Sequence, residues 1–413
     1  MTAAPVRSIV TTWRTPAVIL VCGCLIAILT YGPRSSLGLF MTPLSHDNGW
    51  GRDVVATALA IQVLMWGVGQ PLAGAIADRF GIAPVLSGGV LLYAAGLVIM
   101  AHVTSPVMLQ LSAGLIFGIG LSGCSFSVVI AAFGKLMPDR WRTLSFGIGT
   151  AAGSFGQFLF SPLAVALMDN VGWRNTLMIF AAMLLVVLPL SLSLVTPRAD
   201  STSAGGAIPA QSFWQAFKEA IGHRSYVLLV LGYFTCGFQL QFITIHMPSY
   251  LIDRGLPAYV GGWTVAAIGL FNVIGSVFSG YLAGRMPKRY LLAGIYLSRA
   301  LAILAFISFP VTPMTAVTFG AVMGFYWLST VAPTNGLVVV MFGTRWLAML
   351  TGFAFFSHQF GGFLGVWLGG LVFERTGSYD AIWWLSIGLG VLSAVINLPI
   401  VEKPIARPLP APA

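Results

Sequence analysis

Carboxylates are missing from the parts of this chain that are most apolar. Of its 413 residues only 8% are charged, and the eleven Asp and Glu fall outside the long apolar stretches, save Asp380 at the very start of the last. A soluble globule is excluded, because 57% hydrophobic residues surround whole helical faces instead of forming one stripe. Cysteine is scarce. Cys22, Cys24, Cys124 and Cys236 all lie in apolar stretches, where a thiol serves as a small soft hydrophobe, and Cys22-x-Cys24 lacks the company a metal site needs. No Gly-x-x-x-x-Gly-Lys-Ser/Thr loop occurs, so the chain has no nucleotide engine of its own. An embedded enzyme would need a carboxylate pair, a His-rich metal set or a nucleophile with its base. The interiors of the apolar stretches hold no acid and only scattered histidines, so no catalytic residue, cofactor or metal is expected.

What is present is apolar length. Spans lie near 17–44, 54–77, 83–101, 106–134, 143–168, 174–195, 225–252, 258–284, 290–309, 313–341, 346–373 and 379–401, each near the ~20 residues a helix needs to cross a bilayer. The expected fold is an all-α polytopic membrane protein with twelve transmembrane helices in two six-helix halves. The first stretch is too long for a signal peptide and lacks a cleavage pattern, so it stays as helix one. Loops on the side of the termini hold fifteen Lys and Arg, the opposite loops four. By the positive-inside rule both termini are cytoplasmic, in the inner membrane of a bacterium. The net charge of +10 is then a topology signal, and no nucleic-acid partner is implied.

Residues 1–195 form the first expected half, 196–224 a cytoplasmic linker, 225–401 the second half and 402–413 a cytoplasmic tail. The linker begins Thr-Pro-Arg-Ala-Asp-Ser and ends in an amphipathic stretch, Phe213 to Ala220. A self-match at an offset near 205 pairs Phe155-Gly156 with Phe360-Gly361, Trp141 with Trp346, Gly147 with Gly352 and Gly172 with Gly377. At 206, Gly74-Ala-Ile-Ala-Asp78-Arg79 aligns with Gly280-Tyr-Leu-Ala-Gly284-Arg285. The chain reads as a duplication with the repeats in parallel.

Gly74-Ala-Ile-Ala-Asp78-Arg79-Phe-Gly81 resembles the signature of the major facilitator superfamily, and the resemblance covers essentially the whole chain. It implies a cytoplasmic latch at Gly74, Asp78, Arg79 and Arg285, in which the acid caps a helix terminus and pairs with a base. Ile82 and Ala83 stand where the family usually has two basic residues, and Gly284 replaces the acid in the second half. Within the superfamily, Tyr31-Gly-Pro33-Arg34-Ser35 resembles the monocarboxylate-transporter and oxalate-formate exchanger group, whose helix one places a cation on the substrate path. That group tends to carry an Asp and an Arg four apart in helix eight; Asn272 and Ser276 stand there, so proton-coupled lactate chemistry does not carry over. The superfamily usually works as a monomer.

The polar residues inside the spans supply candidates. Arg34 is expected about 17 residues into helix one, on the order of 25 Å along it, toward the outer half of the bilayer. A buried cation without a protein counter-ion invites an anion, and its fork can hold a carboxylate; the alternative is an arginine capped by carbonyls freed at Pro33. Arg299, in helix nine, is expected to be structural. His358 lies near mid-membrane in helix eleven, where the resemblance implies a cation, and histidine can change charge near neutral pH; a neutral ring bonding a carbonyl is equally open. His246 is the reserve proton-coupling residue. Polar stripes add Gln239 with His246, Asn272 with Ser276, Trp327 with Thr330 and Thr334, and Gln62, Trp66 and Gln70. The expected substrate contacts are Tyr31, Arg34, Gln239, Asn272, Ser276, Trp327, His358 and Gln359.

The function expected is a secondary transporter that moves a small organic anion by alternating access, with a proton or counter-anion as the coupled species. A carrier of larger aromatic or amphipathic compounds is the alternative, in keeping with twelve tryptophans.

Overall fold

The computed structural model describes residues 13–196, 213–343 and 347–405. Among these residues the secondary structure is helical throughout, and ten apolar runs are long enough to cross a membrane. The twelve expected spans are reached in two further steps. The run Ser145–Leu194 contains two crossings, folded back at Gly172, whose φ of 79° lies where a side chain would be strained. Leu347–Thr376 is another 30-residue helix, long enough to cross although Ser357-His358-Gln359 breaks its apolar character.

In chain order the crossing elements are α1 (Pro16–Ser35), α2 (Arg52–Phe80), α3 (Ile82–Ala101) and α4, the run Pro106–Leu136. Then come α5 and α6, residues 139–171 and 173–185 either side of the fold, and α7 (Arg224–Asp253). The series closes with α8 (Ala258–Ala283), α9 (Lys288–Ser308), α10 (the run Pro313–Phe342), α11 (Leu347–Thr376) and α12 (Asp380–Asn397). Helix starts follow local chemistry. Thr15 caps α1 by accepting from the Val18 amide with Pro16 at the first position, and Thr312 with Thr315 closes a capping box on α10 ahead of Pro313.

Two large apolar cores form, one mostly from residues before the linker but joined by Ile245 and Val366, the other from residues after it, with large side chains such as Phe117 and Phe180 or Trp383 and Phe319. Between them α2 packs on α11 and α5 on α8. The approach is close: a Cβ at Gly38 would collide with the Thr244 carbonyl, and one at Gly269 would meet the Ser154 carbonyl at 2.7 Å. Of the linker, residues 197–212 lie outside the described residues, and Phe213–Gly222 forms the expected amphipathic helix, with Ala216 and Ala220 buried. Of the tail, 406–413 lie outside, while Glu402 accepts from the Arg289 amide at 2.8 Å.

The halves close at the end away from the termini. There Thr42 meets Ser249 hydroxyl to hydroxyl at 3.0 Å, and Arg52 of α2 binds Asp253 of α7 through two bonds of 2.5 and 2.6 Å. Toward the terminus side, Gly74, Gly147, Gly153, Gly280 and Gly352 have open space where a Cβ would stand.

Candidate functional site

Arg34 stands near the middle of a 33-residue run, Pro16–Asn48, and not toward the outer end as expected. The helix does not stop after Ser35: it tightens through Leu37–Phe40 and resumes as Met41–Asn48, moving the midpoint down to the arginine. Its side chain is 3% exposed. One Nη2 hydrogen goes to Gln241 Oε1 of α7, at 2.7 Å, across the boundary between the halves. The guanidinium carbon lies 4.7 Å from the Trp66 ring centroid and 6.0 Å from that of Tyr31. Nε is buried with no partner. The ionisable side chains acting on it are the phenols of Tyr31 and Tyr93, not carboxylates. A cation so placed has cation–π support and one neutral acceptor, and it retains an unused hydrogen-bond donor.

Tyr31 is tied to Trp327, which stands at a break in α10 between Pro313–Tyr326 and Val331–Phe342. Trp66 packs edge-on against Phe355 of α11 at 5.7 Å, and Phe355 lies nearly parallel to the His358 ring at 5.8 Å. His358 Nδ1 donates to Gln359 Oε1 at 2.9 Å, and Gln359 Nε2 donates to the Val63 carbonyl of α2 at 3.2 Å. On its other side His358 meets Cys236, whose sulfur lies 3.3 Å from the Thr330 hydroxyl, with the Tyr233 ring 5.0 Å from the imidazole. Cys236, read from sequence as a plain hydrophobe, therefore sits in polar company. Tyr31, Arg34, Trp327, His358 and Gln359 thus come together through Trp66 and Phe355.

Three expected contacts point elsewhere. Gln239 donates to the Ser386 carbonyl of α12 at 2.9 Å, inside the second half. Asn272 donates to Ser154 of α5 at 2.8 Å and accepts the Leu328 amide at 3.1 Å, while Ser276 donates to Asn272 at 3.0 Å. Asn272, oriented by Ser276, serves the broken helix: the break frees amides and carbonyls that must be bonded in hydrocarbon. Arg299 completes that service by donating to the carbonyls of Tyr326 and Trp327, so its role is structural as expected.

His246 is held at the closed end, not at the centre. Its Nε2 donates to the Val366 carbonyl at 2.8 Å and its Nδ1 accepts from Tyr379 at 3.2 Å. Burial pushes the Tyr379 phenol up to about 12, so the hydroxyl stays protonated and can donate. The same hydroxyl accepts from Arg52 at 3.3 Å, and the Arg52 amide reaches Glu374 at 3.2 Å. Of the expected latch, Gly74 is exposed and Arg285 lies over the Tyr281 ring at 4.2 Å. The Asp78 and Arg79 side chains lie outside the described residues.

Sequence reasoning missed Gln241 and the Arg52–Asp253 pair. A signal for the first existed: Arg34 and Gln241 are 207 residues apart, as are Thr42 and Ser249, close to the repeat offset. Duplicated helices that face each other across the halves bring equivalent positions into contact.

A model described as the Major Facilitator Superfamily matches residues 23–366. An uncharacterized MFS-type transporter of Bacillus subtilis, YcxA, is 27% identical over 91% of this chain and 92% of its own length. Monocarboxylate transporter 11 of Mus musculus is 28% identical over 86% of this chain and 80% of its own. Among solved structures, a D-xylose-proton symporter superposes with a TM-score of 0.70, covering 95% of this chain and 98% of that one. A bacterial homolog of the human lysosomal transporter Spinster gives 0.72 over 92% and 96%. Both are 16% identical, so they show the fold alone.

Proposed function

The chain belongs to the Major Facilitator Superfamily, and on that premise we propose that it carries a small organic monoanion across the membrane by alternating access, with Arg34 as the anion's contact. The observation that carries this is the state of Arg34: buried mid-span, unpaired at Nε, and without a carboxylate to neutralise it. A buried charge of this kind costs several kcal/mol, and a ligand carboxylate taking Nε together with Nη2 offsets that cost. The Gln241 bond sets Arg34 at the boundary between the halves, and a contact there suits a ligand exposed to each side in turn. The chain is a carrier, not an enzyme.

The setting that completes this reading is a bacterial inner membrane with both termini in the cytoplasm and a monomeric working unit. The coupled species is a proton, carried through His358, or a counter-anion moved in exchange. Asp78 and Arg79, with Gly74 and Arg285, act as the cytoplasmic latch. Reconstitution tests the proposal: liposomes preloaded with unlabelled carboxylate should accumulate labelled carboxylate by counterflow, and Arg34→Ala should abolish it. Equal counterflow by the parent and Arg34→Ala would contradict it.

A further inference from the structure

Resting on the anion proposal, we infer that the carried anion is an aromatic monocarboxylate, its carboxylate on Arg34 and its ring among the side chains of Trp66 and Phe355. The charge count comes first. Among the described spanning residues two arginines are buried at mid-depth; Arg299 turns Nε and Nη2 onto the carbonyls of Tyr326 and Trp327 within the second half and leaves Nη1 unpartnered, whereas Arg34 faces the boundary between the halves. His246 is held between a carbonyl and a phenol, and His358 between an amide oxygen and a thiol. One cation therefore remains for a ligand, which suits one negative charge. A dicarboxylate would leave its second charge unpaired in low dielectric.

The surroundings of Arg34 decide the rest of the ligand. The nearest amides are already engaged: Gln241 on Arg34 itself, Gln359 on Val63 and His358. Trp66 spends its indole N–H on Gln70 at 3.0 Å, which leaves only ring surface for a ligand. A hydroxyl-rich body such as a sugar acid would find few free partners and would lose its hydration without compensation. Against the guanidinium lie the rings of Tyr31 and Trp66, and these are extended by Trp327, bonded to Tyr31, and Phe355, packed edge-on against Trp66. Offset and edge-on contacts with these rings favour a flat aromatic body over an aliphatic one of similar charge. Tyr31 and Phe355 are partly exposed where Trp66 and Trp327 are buried, which suits entry of a ligand past them.

The test is binding to the full chain in detergent, by calorimetry, of benzoate, phenylacetate, acetate, succinate and xylose. Benzoate or phenylacetate should bind at least about tenfold more tightly than acetate, with no binding of xylose and none of succinate beyond the acetate level. Trp66→Leu should reduce the preference for benzoate over acetate to about threefold or less. Phe355→Leu should do the same, and it replaces Trp66→Leu if that variant does not fold. Arg34→Ala should remove all carboxylate binding. Acetate bound as tightly as benzoate, with both lost in Arg34→Ala, overturns the aromatic class and leaves anion recognition standing. Aromatic acids bound as tightly by Arg34→Ala as by the parent overturn both, and so does a parent that binds no carboxylate at millimolar concentration.

Discussion

Arg34 and Gln241 occupy equivalent helices of the two halves and share a 2.7 Å hydrogen bond. The bond joins a full charge to a neutral amide, so it orients the guanidinium without neutralising it. Gln241→Glu replaces the amide by a carboxylate of the same shape. The variant should fold with unchanged or raised thermal stability, since the buried cation gains a counter-ion, yet bind organic anions at least about tenfold more weakly because the site is already neutral. Calorimetry and thermal unfolding on one preparation check both halves of this statement. Parent-like anion affinity in Gln241→Glu would mean that Arg34 does not hold the anion.

The closed end should open when its ion pair is cut. Arg52 grips Asp253 with both nitrogens, lies over the Phe373 ring at 4.2 Å and bonds Tyr379. Arg52→Ala or Asp253→Ala should shift the population toward the state open on that side, by about 1–2 kcal/mol or roughly five- to thirtyfold. Labelling of a cysteine placed at Thr42, behind the pair, reads the shift. The exchanged variant, with Arg52→Asp and Asp253→Arg together, should recover part of the closure.

The two buried arginines should behave oppositely. Arg299→Ala leaves the carbonyls of Tyr326 and Trp327 unbonded and should cost about 2–3 kcal/mol of stability. Arg34→Ala removes a charge that lacks a counter-ion and should leave stability unchanged or raise it. Melting temperatures of the two variants in the same detergent separate a structural cation from a functional one.

That difference marks what the sequence could disclose. Apolar run length revealed the helices, and a cation amid apolar residues without an acid revealed Arg34, because both rest on the cost of polar groups in hydrocarbon. Asn272 and Ser276 looked like ligand contacts because the break at Trp327 to Thr330 is marked in the sequence only by Pro333 just beyond it; the polar groups that mend it resemble a site until the break is seen. Gln239 and Gln241 lie two positions apart, roughly 200° around a helix, so one of them had to face away. Choosing Gln239 for its spacing to His246 selected the face that packs into the second half. Arg52 and Asp253 stand 201 residues apart at helix ends, where neither residue appears unusual.

His358→Gln keeps a polar side chain beside Gln359 and Cys236 and should lower net uptake while sparing exchange of substrate for substrate, both read in the same liposomes. Net uptake equal to the parent's in His358→Gln would assign the proton to another group.

Binding of a matched pair, benzoate and its neutral amide, to the parent and to Arg34→Ala tests the central claim most directly, since the two ligands differ in charge and scarcely in shape. The parent should bind benzoate at least about tenfold more tightly than benzamide, and in Arg34→Ala that preference should vanish. A preference for benzoate that survives in the folded Arg34→Ala variant would contradict anion recognition by Arg34.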